Sequence, residues 1–198
     1  MRRRERSSAF QPGAAHTAEV EAELRGWYEF VDLVRSVTPD ECLEPGYYRG
    51  PDWSVRDVVA HLGTWLAEAG VKFQRIRAGT YEGHDIDFEA LNVELLDAMS
   101  GQPWYVAWVQ ANASRSRMID EWYELRDPSE EAAWWIRKSG GDHFSEHLGR
   151  LREWVAELVS RRSVEQEAAQ LGGITDGDSE VSGPPSSSSP RRRAKRTP

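Results

Sequence analysis

The 198-residue chain is short of several things, and each shortage removes a class of protein. Its single cysteine, Cys42, excludes a disulfide framework and any zinc cluster built on thiolates. Without a neighbouring His or run of cations, Cys42 reads as a passive loop or core thiol. No uninterrupted apolar run approaches the roughly 18 residues that a membrane-spanning helix needs. Strict apolar/polar alternation is missing as well, so strands are not expected. Met1-Arg2-Arg3-Arg4 is not followed by an apolar stretch of secretory type, and the expected compartment is the cytoplasm.

Positive charge is scarce where a nucleic-acid partner would need it. The formal net charge is −8; the first ten residues carry +3 and residues 186–198 carry +5, which leaves −16 for the stretch between them. Affinity for nucleic acid comes mainly from cations placed on phosphates, so an acidic body is a poor partner for it. The basic run Arg191–Arg196 leaves a tail-mediated accessory role as an alternative, against the simpler reading of a solvated tail. Lysine is rare too, three beside 22 arginines, which marks a GC-rich coding genome rather than a function.

What is present suits a globular chain: 39 % hydrophobic and 29 % charged residues. The length points to one domain with tails. The expected organisation is a basic, disordered N-terminus over residues 1–15, a folded domain over residues 16–163 and a disordered tail over residues 164–198. That tail runs from Gly172 through Gly, Asp, Ser and Pro into its basic end.

Within the domain the apolar period is helical. Val20, Leu24, Trp27, Val31 and Val34 follow a 4-3-4-3 spacing that stops before Pro39. A second helix starts at Ser54 with Asp57 in the acidic position of a capping box, and carries a broad apolar stripe to Gly79. A third helical region spans Phe88 to Leu125, broken near Gly101-Gln102-Pro103, with Pro103 placed as a first-turn residue. Ser129-Glu130 opens another helix, Gly140-Gly141 interrupts it, and Asp142 is placed to cap a last helix ending near Arg162. The expected fold is all-α, a four-helix bundle.

Three of the five histidines fall where chemistry is possible. His143 and His147, four residues apart on one helix, stack their rings on one face about 6 Å apart. His61 lies at the edge of the apolar stripe of the second helix, so the three rings converge if the two helices are neighbours. Three neutral imidazoles with an open fourth position are the ligand set of a catalytic zinc-type site. The plainer readings are solvated histidines for the pair and a hydrogen-bonded packing residue for His61. His16 and His84 take the plain reading outright.

Trp53-Ser54-Val55-Arg56-Asp57-Val58-Val59-Ala60-His61-Leu62 resembles the Trp-Ser/Thr-x-x-Asp-x-x-x-His-Leu signature of the DinB superfamily. His143-Phe144-Ser145-Glu146-His147 resembles that superfamily's second signature, on the fourth helix. The resemblance covers about residues 17–162, and among its members is the N-terminal domain of mycothiol-dependent maleylpyruvate isomerase. It implies a four-helix bundle with one divalent metal held by His61, His143 and His147. It also implies a low-molecular-weight thiol, mycothiol or bacillithiol, as co-substrate. The chain departs from the two-domain isomerase in having only a tail after Arg162. A thiol-dependent transferase or related detoxifying enzyme acting on a small molecule is therefore the expected activity.

The metal stays open on ligand grounds: imidazoles suit Zn, Ni, Fe or Cu, with zinc the default. Asp57 is either a partner to His61, one turn away, or only a cap. The rival function is a bundle that sequesters an apolar metabolite in a tryptophan-lined pocket, with structural histidines. Trp27, Trp65, Trp122 and Trp154 read as core, with Trp65 and Trp154 as candidate pocket walls. An exposed cluster among Trp104, Trp108, Trp134 and Trp135 would mark a homodimer interface.

Overall fold

The computed structural model describes residues 14–48, 52–83 and 86–175, with side chains from residue 17 to residue 171. All regular structure among these residues is helical: α1 (Ala14–Arg35), α2 (Val55–Ala78), α3 (Phe88–Met99), α4 (Trp104–Tyr123), α5 (Glu130–Ile136) and α6 (Asp142–Thr175). A 3₁₀ turn (Glu41–Leu43) follows α1, and a π-helical turn (Arg137–Gly141) joins α5 to α6. The long helices α1, α2, α4 and α6 make the bundle, as the apolar periods require. No helix among the described residues is long and apolar enough to cross a membrane.

The start of α2 carries the expected capping box. Ser54 Oγ accepts from the Asp57 amide, and Asp57 accepts in return from the Ser54 amide at 2.8 Å. The helix ends at Gly79 in a left-handed conformation, φ 68°. Side chains from four helices fill the core, among them Phe30 of α1, Leu62, Leu66 and Phe73 of α2, Trp122 of α4, and Phe144 and Leu151 of α6, all fully buried. Burying one such side chain is worth about 1.5–3 kcal/mol.

The packing of α2 on α4 is extensive. It is close because Gly63 has no side chain: a Cβ there would lie 2.8 Å from the Ala111 Cα. An ion pair crosses the interior from α1 to α4, with Arg115 reaching both oxygens of fully buried Glu23 at 2.6 and 2.7 Å. The Arg115 guanidinium also lies over the Trp27 ring.

Four expectations need correction. Helix α1 already runs at Ala14 and Ala15, inside the span assigned to a disordered N-terminus; residues 1–13 lie outside the described residues. Pro103 is the cap of α4 rather than a first-turn residue, one position earlier than expected. Asp142 does not cap. Its amide bonds to the Arg137 carbonyl and its dihedrals are helical, because the π turn carries the chain from α5 into α6 with only a kink at Gly140.

The last helix does not stop near Arg162 but continues to Thr175. Residues 163–171 hold Glu, Gln, Ala and Leu with no Gly or Pro, and such residues lose little by being helical. Residues up to Ser160 form one compact unit and Arg161 opens a second, in which Val164 and Leu171 are exposed. Residues 176–198, with the basic run, lie outside the described residues.

Candidate metal centre

His61 belongs to the buried face of α2, and His143 and His147 to successive turns of α6. All three are buried. The structure brings them together: one ring nitrogen of each lies within 4.8 Å of the other two. His61 Nε2 is 2.9 Å from His143 Nε2, and His147 stands 5.1 Å, ring to ring, from both.

Burial pushes all three imidazoles down from their ordinary value of 6.5, His61 to about 3, His143 to about 2 and His147 to about 4. The neighbouring imidazoles add to this, His147 beside His61 and His61 beside His143, whereas at His147 the Glu146 carboxylate opposes the effect of burial and Lys138 adds to it. The rings are neutral at pH 7, the form a metal needs.

Two tyrosine hydroxyls meet His147 at Nδ1. Tyr47 Oη donates to the His147 carbonyl at 3.0 Å, and Tyr48 Oη donates to Tyr47 Oη at 3.4 Å. Tyr48 Oη also lies 2.9 Å, and Tyr47 Oη 3.2 Å, from His147 Nδ1, and which atom carries the proton depends on the imidazole tautomer. The tautomer with its hydrogen on Nδ1 donates to these hydroxyls and leaves the Nε2 lone pair for a ligand. Burial raises the Tyr47 phenol well above its ordinary range, so the network keeps its protons.

The tyrosines are placed by the loop before α2. Gly46 turns the chain with φ 124° and lies flat against Trp154, whose ring a Cβ would meet at 2.7 Å. Arg150 of α6, one turn beyond His147, donates to the carbonyls of Gly46 and Tyr47 at 3.1 and 2.6 Å. One helix therefore presents both the imidazole and the guanidinium that fixes the tyrosines beside it.

The donor set fits a divalent ion. His61, His143 and His147 would hold it through neutral imidazole nitrogens that lie within 4.8 Å of one another, the His61–His143 pair at 2.9 Å. His61 Nδ1 and His143 Nδ1 are buried with no hydrogen-bond partner among the described residues. Asp57 does not reach His61; its carboxylate is occupied by Ser54 and Arg56, and its role is the cap. Packing orients those two rings instead: Trp53 lies 5.2 Å from His61, and Trp65 stands edge-on to His143 at 5.9 Å.

A cavity of about 390 Å³ opens over the three rings, lined by Trp53, Trp65, Phe88, Asn92, Lys138 and Glu146 besides the histidines. Trp65 is a pocket wall, whereas Trp154 packs on Gly46 away from the cavity. Sequence reasoning missed Tyr47, Tyr48, Phe88, Asn92, Lys138 and Glu146. The aromatic pair after Pro45-Gly46 was the one visible signal among them. Of the four tryptophans considered for an interface, Trp134 is exposed, Trp135 is fully buried, and Trp104 and Trp108 are half-buried and stacked on each other, so the four do not form an exposed cluster. Cys42 is buried and burial lifts its thiol to about 12, which makes it no nucleophile. His16 and His84 lie outside the residues whose side chains are described.

Fold and site together define an all-α protein with a candidate three-histidine metal centre facing an aromatic cavity. Compared with known proteins, the chain matches no family model and no curated protein. It is similar to the crystal structure of an uncharacterised protein from Escherichia coli UTI89, with a TM-score of 0.62 at 15 % identity. The match covers 72 % of this chain and 93 % of that one. At that identity the likeness speaks for the fold alone.

Proposed function

We propose that the chain is a DinB-like protein that holds one divalent metal ion, zinc by default, on His61, His143 and His147. We further propose that it is a cytoplasmic thiol-dependent transferase or related detoxifying enzyme. The observation that carries the metal reading is the convergence of three buried, neutral imidazoles whose ring nitrogens lie within 4.8 Å. The Tyr47 and Tyr48 hydroxyls beside His147 Nδ1 support that reading, because the Nδ1–H tautomer they can accept from leaves Nε2 to an ion.

A divalent ion held there supplies Lewis acidity and lowers the pKa of a thiol or water at its open position. The chain's own residues do the rest. The histidines bind, the tyrosine hydroxyls meet His147 at Nδ1, and Trp53, Trp65 and Phe88 present an apolar wall that restricts water. The same aromatic wall supports a second reading, a bundle that sequesters an apolar metabolite.

Elemental analysis of the purified protein beside a His147→Ala variant tests the centre. Near-stoichiometric metal is expected in the wild type and its loss in the variant, with helical content kept. Full retention in His147→Ala would remove the site, and wild type that holds no metal after reconstitution would favour the sequestering bundle. The thiol step is read separately, by consumption of mycothiol with an electrophile in the metal-loaded protein.

A further inference from the structure

The cavity over the histidines has polar groups whose signs carry information. Trp65 Nε1 is 2.8 Å from Asn92 Oδ1. An indole N–H can only donate, so the carbonyl end of Asn92 is engaged and what it has left for a ligand is its amide N–H₂. Lys138 adds an ammonium, one N–H of which is held by Glu146 at 3.0 Å. Those two charges cancel, and the imidazoles are neutral, so the charge remaining in the cavity is that of the bound ion. The walls, with Trp65 stacked on Phe88 at 5.6 Å and Trp53 over His61, suit a flat apolar body.

We infer that this cavity takes a small aromatic carboxylate, its ring against Trp53, Trp65 and Phe88 and its oxygens accepting from the Asn92 amide and the Lys138 ammonium. The inference rests on the metal reading for the net positive charge; the two donors and the apolar walls belong to the chain itself. An amine of the same shape meets two donors and finds only Glu146 as a counter-charge. An uncharged amide forgoes the charge-assisted hydrogen bonds, which are about twice as strong as neutral ones.

The test uses the full-length protein loaded with Co(II), its cobalt content measured first. Benzoate, benzamide and benzylamine are then titrated while tryptophan fluorescence and the visible cobalt bands are followed. Benzoate is expected to bind at least about tenfold more tightly than the other two. Asn92→Asp keeps an acceptor for Trp65 but replaces the N–H₂ donor with a carboxylate; it is expected to hold cobalt as before and to weaken benzoate about tenfold or more. Lys138→Met, at the exposed rim, gives the same reading if Asn92→Asp loses helix.

Protein that holds no cobalt refutes the metal centre alone. The effect of Asn92→Asp or Lys138→Met on benzoate, followed by fluorescence, then decides the carboxylate. Protein that holds cobalt yet binds benzoate no better than benzamide or benzylamine overturns the inference while the centre stands. So does equal benzoate binding in both variants.

Discussion

At the scale of single residues, the most consequential contact is the one between Tyr48 and His147. With its hydrogen on Nδ1, the tautomer that an ion on Nε2 requires, the imidazole donates across the 2.9 Å contact. Removing the Tyr48 oxygen leaves Nδ1 with only the longer 3.2 Å contact to Tyr47 Oη, whose proton serves the His147 carbonyl. Partners of this kind, one bond removed from a metal, typically change affinity by about 10–100-fold. Tyr48→Phe is expected to weaken zinc binding by at least about tenfold and to leave helical content unchanged, as a competition titration against a fluorescent chelator will read. Unchanged affinity would mean that packing alone orients His147. None of this was visible beforehand: Tyr47 and Tyr48 lie about 100 positions from His147, and no local spacing pairs them.

Among the elements, the α2–α4 contact sets where His61 stands. Gly63 lies two residues beyond it, and a methyl there would sit 2.8 Å from the Ala111 Cα, a backbone atom that cannot swing aside. Gly63→Ala forces the helices apart and is expected to destabilise by about 1–3 kcal/mol. Gly149, on α6, has nothing within 4 Å of its would-be methyl. There the gain in helix propensity acts alone, and Gly149→Ala is expected to stabilise by about 0.5–1 kcal/mol. Thermal melts of the two variants check the opposite signs. Periodicity placed the helices but not this crossing, since an apolar stripe says which face is buried and not how near the next backbone comes. The run-on of α6 past Arg162 escaped for a related reason: residues 163–171 lack an apolar period, yet nothing in them breaks a helix.

For the whole molecule, the three imidazoles link folding to pH and to metal. In the folded chain burial holds them at about 3, 2 and 4, against 6.5 when exposed. Between those values the unfolded chain binds protons that the folded chain refuses. Their stabilising contribution is therefore complete above pH 6.5 and is lost as the pH falls, down to about 4 for His147, 3 for His61 and 2 for His143. Each pH unit in that window costs about 1.4 kcal/mol per histidine. The Tm of the metal-free protein is expected to fall from pH 7 to pH 4.5, and His147→Gln to make that slope shallower. Identical slopes would place the acid sensitivity elsewhere. Because metal binds the folded chain, zinc is expected to raise Tm at pH 7 and a chelator to reverse it.

The sequence by itself determined the helices, their main stops at Gly79 and near Gly101–Pro103, the Ser54/Asp57 cap and the three histidines. These are properties of neighbours along the chain, where a period of 3.6 residues and a few capping side chains suffice. Only the tertiary structure decided that the His61 and His143 nitrogens approach to 2.9 Å, that Asp57 serves the cap and not His61, and that Tyr48 holds His147. It alone placed Asn92 and Lys138 in one cavity with three aromatic walls. Those are meetings of residues tens of positions apart, fixed by how closely helices cross and which way a loop turns. They depend on packing among elements that a one-dimensional pattern does not contain.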